Sequence, residues 1–370
     1  MFKIDLIAGA RPNFMKIGPI HHALQKYADK IQIRVVHTGQ HYDQNMSTIF
    51  FEQLGLPKPD ISLNIGSATH AHQTGKIMMA YEDLIIGDKP DLLLVVGDVN
   101  STMACALVAA KLNVPVGHVE AGLRSFDWEM PEEVNRVVAD RVSNFLFTTC
   151  DDGDVNLIRE GFDTHQIVLV GNTMIDSLFR LLPQAEKSKI LKKIGVKPRE
   201  YVLTTLHRPS NVDNPDDLRQ LMQMLVKLSK KMPIVFPVHP RTKNKMIGLE
   251  GIKEEDFRNI HLTEPLSYLD FVKCQKEAFL VVTDSGGVQE ETSALGVQCL
   301  TARENTERPV TITKGTNRLV GTDPDEIYHA AVAVLNGDIK AGIPIPLWDG
   351  KAGERIADYI MKNLVNAATQ

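Results

Sequence analysis

Two α/β domains, each wound on a parallel sheet, are the fold that this 370-residue sequence predicts. Three observations predict it. Short aliphatic and β-branched runs alternate with longer helix-periodic stretches, the alternation begins afresh after Gly171, and the turns that follow the runs are dense in glycine and charge. The first series is Ile4 to Ala8, Ile31 to His37, Leu92 to Val96, Val114 to Val119, Phe145 to Thr149 and Ile167 to Val170. The second series is Tyr201 to Leu206, Ile234 to Val238, Phe279 to Thr283 and Val297 to Thr301. A domain boundary is expected near Gly171 and Asn172, just before the helical stretch Thr173 to Leu182, giving domains 1–171 and 172–352. The Pro-rich piece GIPIPLWDG cannot be helical throughout and reads as an extended crossing segment. From Gly353 to Val365, Ile356, Ile360 and Leu364 recur at spacings of four, one apolar face of a final helix.

Composition excludes several function classes. The chain carries 41 Lys and Arg against 46 Asp and Glu, a net charge of −5, with 43% apolar and 24% charged residues. A broad nucleic-acid surface needs clustered cations, so an anionic ligand must meet a local cationic pocket. No apolar run approaches the ~18 residues of a membrane span. The N-terminus reads as a first strand and not as a secretory leader. Cys105, Cys150, Cys274 and Cys299 lie too far apart for a zinc knuckle or a CxxC pair, which suits a reducing cytoplasm.

Ligands of parallel sheets collect at the carboxyl ends of strands, and here those ends carry chemistry. The first strand runs into Gly9-Ala10-Arg11-Pro12-Asn13-Phe14-Met15-Lys16, setting a guanidinium, a helix start and an ammonium together, a combination that suits phosphate. The alternative is a turn with solvated cations. Asp98 follows Leu92 to Val96, where it either caps the next helix or serves the crevice. Glu120 follows Val114 to Val119 without an evident capping role, and a carboxylate beside an apolar sheet can acquire acid or base function. Pro131-Glu132-Glu133 has the ordinary make-up of a helix start.

In the second domain His207 and His239 stand at expected strand ends, each near an arginine, Arg208 and Arg241. His70 and His72 read as surface residues. Asp284-Ser285-Gly286-Gly287-Val288-Gln289-Glu290-Glu291 is the sharpest local signal, since adjacent glycines admit an anion to a helix N-terminus. It lacks the GxxxxGK[ST] spacing, and the first βα turn lacks the GxGxxG of a dinucleotide dehydrogenase. Glu290 or Glu291, one turn on, would reach ribose hydroxyls, and Arg308 offers a guanidinium to a diphosphate. Asp152-Gly153-Asp154 and Asp323-Pro324-Asp325 match a loose DxD pattern, but both read as acidic helix starts, and no metal is expected.

Taken together, these segments resemble the non-hydrolysing UDP-N-acetylglucosamine 2-epimerases. GARPNFMK, VVGDVNST, GHVEAGLRS, MPEEVNR, VGNTMID, LHRPSN, TDSGGVQEE and NTERP occur in that family's order from residue 9 to residue 309. The resemblance implies the GT-B architecture: two Rossmann-like domains facing a cleft, with the C-terminal helix, about 353–370, returning to the first. It also implies a cytoplasmic homodimer acting on a UDP-sugar with no cofactor, metal, nucleic acid or membrane insertion. By the same likeness Asp98, Glu120 and Glu132 are the catalytic carboxylates, with His207 beside the reacting sugar. Arg11, Lys16, Arg136, Ser285, Gly286, Gly287, Glu291 and Arg308 bind the nucleotide sugar.

The implied reaction inverts carbon 2 of UDP-GlcNAc through loss of UDP, a bound 2-acetamidoglucal and readdition. Variants of the pattern also resemble epimerases of oxidised sugars such as UDP-2,3-diacetamido-glucuronate. A hydrolysing epimerase, a GT-B glycosyltransferase and a silent nucleotide-sugar sensor are the competing readings. Members activated by their own substrate carry Gln-His-Arg where this chain has Gln40-His41-Tyr42, and His-Arg-x-Glu-Asn where it has His207-Arg208-Pro209-Ser210-Asn211.

Overall fold

The computed structural model describes residues 1–39, 55, 58–206, 214–238, 246 and 253–367. His207, Arg208, His239, Arg241 and the Gln40 to Tyr42 segment lie outside the described residues, as does the side chain of Arg11. The chain forms two compact units, Met1–Arg180 with Pro346–Gln370, and Leu181–Ile345.

In the first unit β1 (Phe2–Ala8), β2 (Ile31–His37), β3 (Ile61–Ser62), β4 (Leu92–Val96), β5 (Val116–Ala121), β6 (Phe145–Thr148) and β7 (Ile167–Leu169) alternate with helices. The helices are α1 (Arg11–Leu24), α2 (His70–Gly87), α3 (Asn100–Lys111), α4 (Pro131–Val142), α5 (Asp151–Arg159) and α6 (Thr173–Ala185), the last crossing into the second unit. The strands pair in parallel in the order β3-β2-β1-β4-β5-β6-β7. The order reverses between β1 and β4, so the crevice beyond their carboxyl ends is where a ligand fits such a sheet. All five residues of β4 are buried, which is why the run Leu-Leu-Leu-Val-Val shows no alternation.

The second unit repeats the plan. Its helices are α7 (Ile190–Ile194), α8 (Pro215–Ser229), α9 (Tyr268–Lys276), α10 (Gly286–Leu295), α11 (Pro309–Thr313) and α12 (Pro324–Leu335). Its strands β8 (Val202–Thr205), β9 (Ile234–Pro237), β10 (Ile260–Thr263), β11 (Leu280–Thr283), β12 (Gln298–Thr301) and β13 (Asn317–Leu319) are parallel, in the order β10-β9-β8-β11-β12-β13. The switch point here falls between β8 and β11. Helix α8 shows how the sequence sets such elements. Asn214 caps it by accepting from the Asp216 amide, Pro215 opens it, and Leu218, Leu221, Met222, Leu225 and Leu228 form one buried face.

Helix α13 (Ala352–Ile360) packs against α1, burying Ile356 and Ile360 completely. Gly353 is where the two helices meet: a Cβ there would lie 2.6 Å from the Pro19 carbonyl carbon. The expected apolar face breaks at its end, where Met361–Val365 forms a π-helical turn and Val365, not Leu364, is buried. The wider turn advances the face by one residue.

Three strands escaped the sequence reading: β3, β10 and β13. Each is an edge strand of two to four residues, too short to show a period, and none is buried throughout. The fourth strand of the first series was expected over Val114 to Val119 and instead runs to Ala121, so Glu120 lies within it. Pairing with β6 slips at that point, between Val119 and Ala121. No described helix is long and apolar enough to cross a membrane.

Candidate active site

At the first switch point the side chains interlock. Asn13, in the first turn of α1, accepts from the amides of Gly9 and Ala10 at 3.0 and 2.8 Å and donates to the Val96 carbonyl at 3.1 Å. It fastens the turn after β1 to the end of β4. One turn further along α1, Lys16 is 6% exposed and forms a buried ion pair with Glu120, itself 5% exposed. The Lys16 ammonium lies over Gly97, 2.7 Å from where a Cβ would sit, and Gly97 has φ of +66°. A side chain at this positive φ would be strained and would push the ammonium aside.

Glu120 has φ of 73°, a left-handed backbone that costs a non-glycine residue roughly 1–2 kcal/mol. The strain is held by hydrogen bonds on either side: Gly97 N–H to the Val119 carbonyl at 3.1 Å, and Gly122 N–H to Asp140 at 3.1 Å. The bulge turns the Glu120 side chain out of strand alternation and onto Lys16.

Asp98 does not cap a helix; Val99 occupies the cap position of α3. Its carboxylate pairs with Arg136 at 2.5 Å, and Arg136 also reaches Glu133. Glu133 accepts from the Ser125 amide and hydroxyl and from the Phe126 amide at 2.8–3.0 Å, tying down the loop between β5 and α4. Glu132, its neighbour, is exposed on the first turn of α4. Asn135 donates to the Asp98 carbonyl at 2.9 Å and to Asn100. His70, read as a surface residue, is exposed but lies within 3.4 Å of the Asn100 side chain. Beneath this layer His118 and Asp140 are fully buried, with Arg124 joining Asp140 to Glu160.

At the second switch point Asp284 and Ser285 lead from β11 into α10. A Cβ on Gly286 would lie 2.5 Å from Nη1 of Arg308, so the guanidinium takes the room that the missing side chain leaves. Arg308 pairs with Glu290 at 2.8 Å and with Glu307, which Arg303 reaches at 2.9 Å. The expected diphosphate cation is thus held between two carboxylates. Of the two candidates for ribose, Glu290 is engaged with Arg308, whereas Glu291 accepts from the Tyr268 hydroxyl at 2.7 Å. Burial pushes the Glu291 carboxyl up to about 7, the Glu290 charge adding to it and the Tyr268 hydrogen bond opposing it.

The sequence reading missed Asn13, His118, Glu133, Asp140 and Tyr268. The first three lie inside motifs already singled out, but their roles depend on partners 8 to 83 residues away. Of the DxD patterns, Asp323 caps α12 and Asp154 accepts from Thr148. Among the described residues no group of three or more His, Cys, Asp or Glu side chains is placed to hold a metal ion.

Two doubly wound parallel units, one with ion-paired carboxylates at its switch point and the other with a glycine-opened helix, define a protein of the GT-B class. The chain belongs to the UDP-N-acetylglucosamine 2-epimerase family, whose model matches residues 22–361. It is 43% identical over 360 residues to a UDP-N-acetylglucosamine 2-epimerase of Methanocaldococcus jannaschii, covering 96% of this chain and 97% of that one. It is 42% identical to a UDP-2,3-diacetamido-2,3-dideoxy-D-glucuronate 2-epimerase of Pseudomonas aeruginosa, over 97% of this chain and 99% of the other. A crystal structure of the M. jannaschii UDP-GlcNAc 2-epimerase in complex with UDP-GlcNAc and UDP superposes with a TM-score of 0.88, covering 98% of this chain and all of that one.

Proposed function

We propose that this enzyme inverts carbon 2 of UDP-GlcNAc to give UDP-ManNAc without hydrolysis. The observation that carries the reading is the buried Glu120 carboxylate, held at a strained bulge against Lys16. The proton on carbon 2 has no adjacent carbonyl and is not acidic, so its direct removal is too costly. Departure of UDP with the carbon 1–oxygen electron pair makes carbon 1 cationic and acidifies the neighbouring bond. A carboxylate then takes the carbon 2 proton, leaving 2-acetamidoglucal. Delivery of a proton to the opposite face of carbon 2, with return of the UDP oxygen to carbon 1, completes the inversion and balances atoms and charge.

Two acid/base groups must flank the ring, and Asp98, Glu120 and Glu132 are the candidates for them, with His207 assigned to the reacting sugar by the family likeness. Arg11, Lys16, Arg136 and Arg308 offer charge to the diphosphate, and the amides at Ser285 to Gly287 offer preorganised donors. Glu291 takes the ribose. The bound UDP-GlcNAc and UDP of the M. jannaschii structure support this substrate. The four buried thiols support a reducing compartment, and the family likeness supports a homodimer.

Proton NMR of the protein with UDP-GlcNAc in deuterated water, without metal or acceptor, tests the proposal. UDP-ManNAc carrying deuterium at carbon 2 is the expected product, with rates lowered about 100-fold or more in Asp98→Asn and Glu120→Gln. Free ManNAc with UDP would assign the hydrolysing reaction instead. The 42% identity to the diacetamido-glucuronate epimerase favours a second reading, in which only the oxidised sugar turns over.

A further inference from the structure

His118 lies in β5 with no solvent exposure, and both of its ring nitrogens are engaged. Nε2 is 2.8 Å from the Gly97 carbonyl oxygen, and Nδ1 is 2.6 Å from Oδ1 of Asp140. A carbonyl has no hydrogen to give. Oδ2 of Asp140 takes the Arg124 guanidinium at 2.7 Å and the Gly122 amide at 3.1 Å, so this group stands as an ionised, accepting carboxylate. Both partners therefore accept, and the ring donates from both nitrogens.

What these bonds join matters for the reaction. Gly97 opens the turn that carries Asp98. The other oxygen of Asp140 accepts from the Gly122 amide at 3.1 Å and from Arg124 at 2.7 Å, and Gly122 follows the left-handed Glu120 by two residues. One imidazole, acting through Asp140, thus spans the backbone turns that hold two carboxylates. A Cβ on Gly122 would lie 2.4 Å from the Gly153 carbonyl oxygen, so helix α5 closes this turn from the other side. Among the described residues the charged groups packed around the ring and its partner are Asp140 and Arg124, with Glu160, at the C-terminal cap of α5, beyond them.

We propose that His118, donating from both ring nitrogens, is a positioning residue that fixes Asp98 and Glu120 relative to one another. It acts through backbone and not by touching substrate, and its effect on catalysis rests on the epimerase reading above. His118→Asn keeps a donor where Nδ1 stands and gives up the bond to Gly97, whereas His118→Gln keeps one where Nε2 stands and gives up Asp140. Displacing a reacting group by about 1 Å costs about 100-fold in rate, so each folded variant is expected to lose about that much in kcat, with KM for the UDP-sugar within about threefold of wild type. A merely structural histidine would lower Tm and leave kcat per folded molecule unchanged. Retention of kcat, or a loss confined to KM, overturns the proposal.

A second measurement needs neither a stable variant nor any activity. In protein labelled with 15N at histidine, the imidazole whose protons exchange most slowly with solvent should carry hydrogen on both nitrogens, each bonded to its acceptor. A proton on one nitrogen only would overturn the two-donor assignment, whatever reaction the enzyme performs.

Discussion

Removing both partners of the Lys16–Glu120 pair should cost less than the sum of removing each alone. The side chains are 8% and 4% exposed, so neither charge is left to water when the other goes. At an effective dielectric of about 20, unit charges roughly 4 Å apart attract by about 4 kcal/mol. Breaking a buried pair from one side costs about 3–5 kcal/mol, because an uncompensated charge stays behind. Lys16→Met and Glu120→Gln are each expected to lose that much stability. The double substitution removes both charges while keeping side-chain length, and should recover about 2–3 kcal/mol relative to the sum of the singles.

The assay follows from where the tryptophans lie. The sequence has two, Trp128 and Trp348, and both belong to the first unit. Trp348 is 8% exposed, and its indole donates to the Thr149 carbonyl at 3.0 Å. Urea unfolding followed by tryptophan fluorescence therefore reports the unit that holds the pair. Single-variant losses that simply add in the double variant would refute the argument that the two charges compensate one another.

Gly353→Ala should lower the thermal midpoint of the first unit by pushing α13 off α1. The added carbon meets Pro19 main-chain atoms at 2.6 and 2.7 Å, an overpacking that costs about 1–3 kcal/mol, and an unchanged midpoint in a fluorescence melt would contradict it. Glu291 gives the second unit a pH dependence. Folding raises its carboxyl from 4.5 to about 7, so the folded state holds the proton more tightly and stability falls as pH rises across that window; Glu291→Gln should flatten the fall in denaturant titrations of the enzyme. UDP binding should weaken as the same carboxyl protonates below about pH 7. Tyr268→Phe removes the hydrogen bond that lowers this value and should move the binding midpoint to higher pH, which calorimetry at a series of pH values would detect.

Most of the fold and several members of the candidate site could be read from local sequence. Runs such as Leu92 to Val96 are apolar because both faces of a parallel strand are covered, and that pattern needs no knowledge of neighbours. Glycine and charge after such runs mark the strand ends where a parallel sheet binds, which is how Lys16, Asp98, Glu120 and Gly286 came to notice. The edge strands β3, β10 and β13 were not legible, since two to four half-covered residues carry no period.

By itself, then, the sequence determined which segments become strands, where the alternation restarts, and which turns bear chemistry, because those are properties of a few adjacent residues. Only the tertiary structure decided the partners. Glu120 became a strained, ion-paired carboxylate because α1 brings Lys16 to it from 104 positions away and the pairing of β5 with β6 slips at that residue. Arg308 became a guanidinium shared by Glu290 and Glu307, and Glu291 became the carboxyl that Tyr268 steadies. Burial and charge pairing depend on what the fold packs against a side chain, and no stretch of neighbouring residues contains that information.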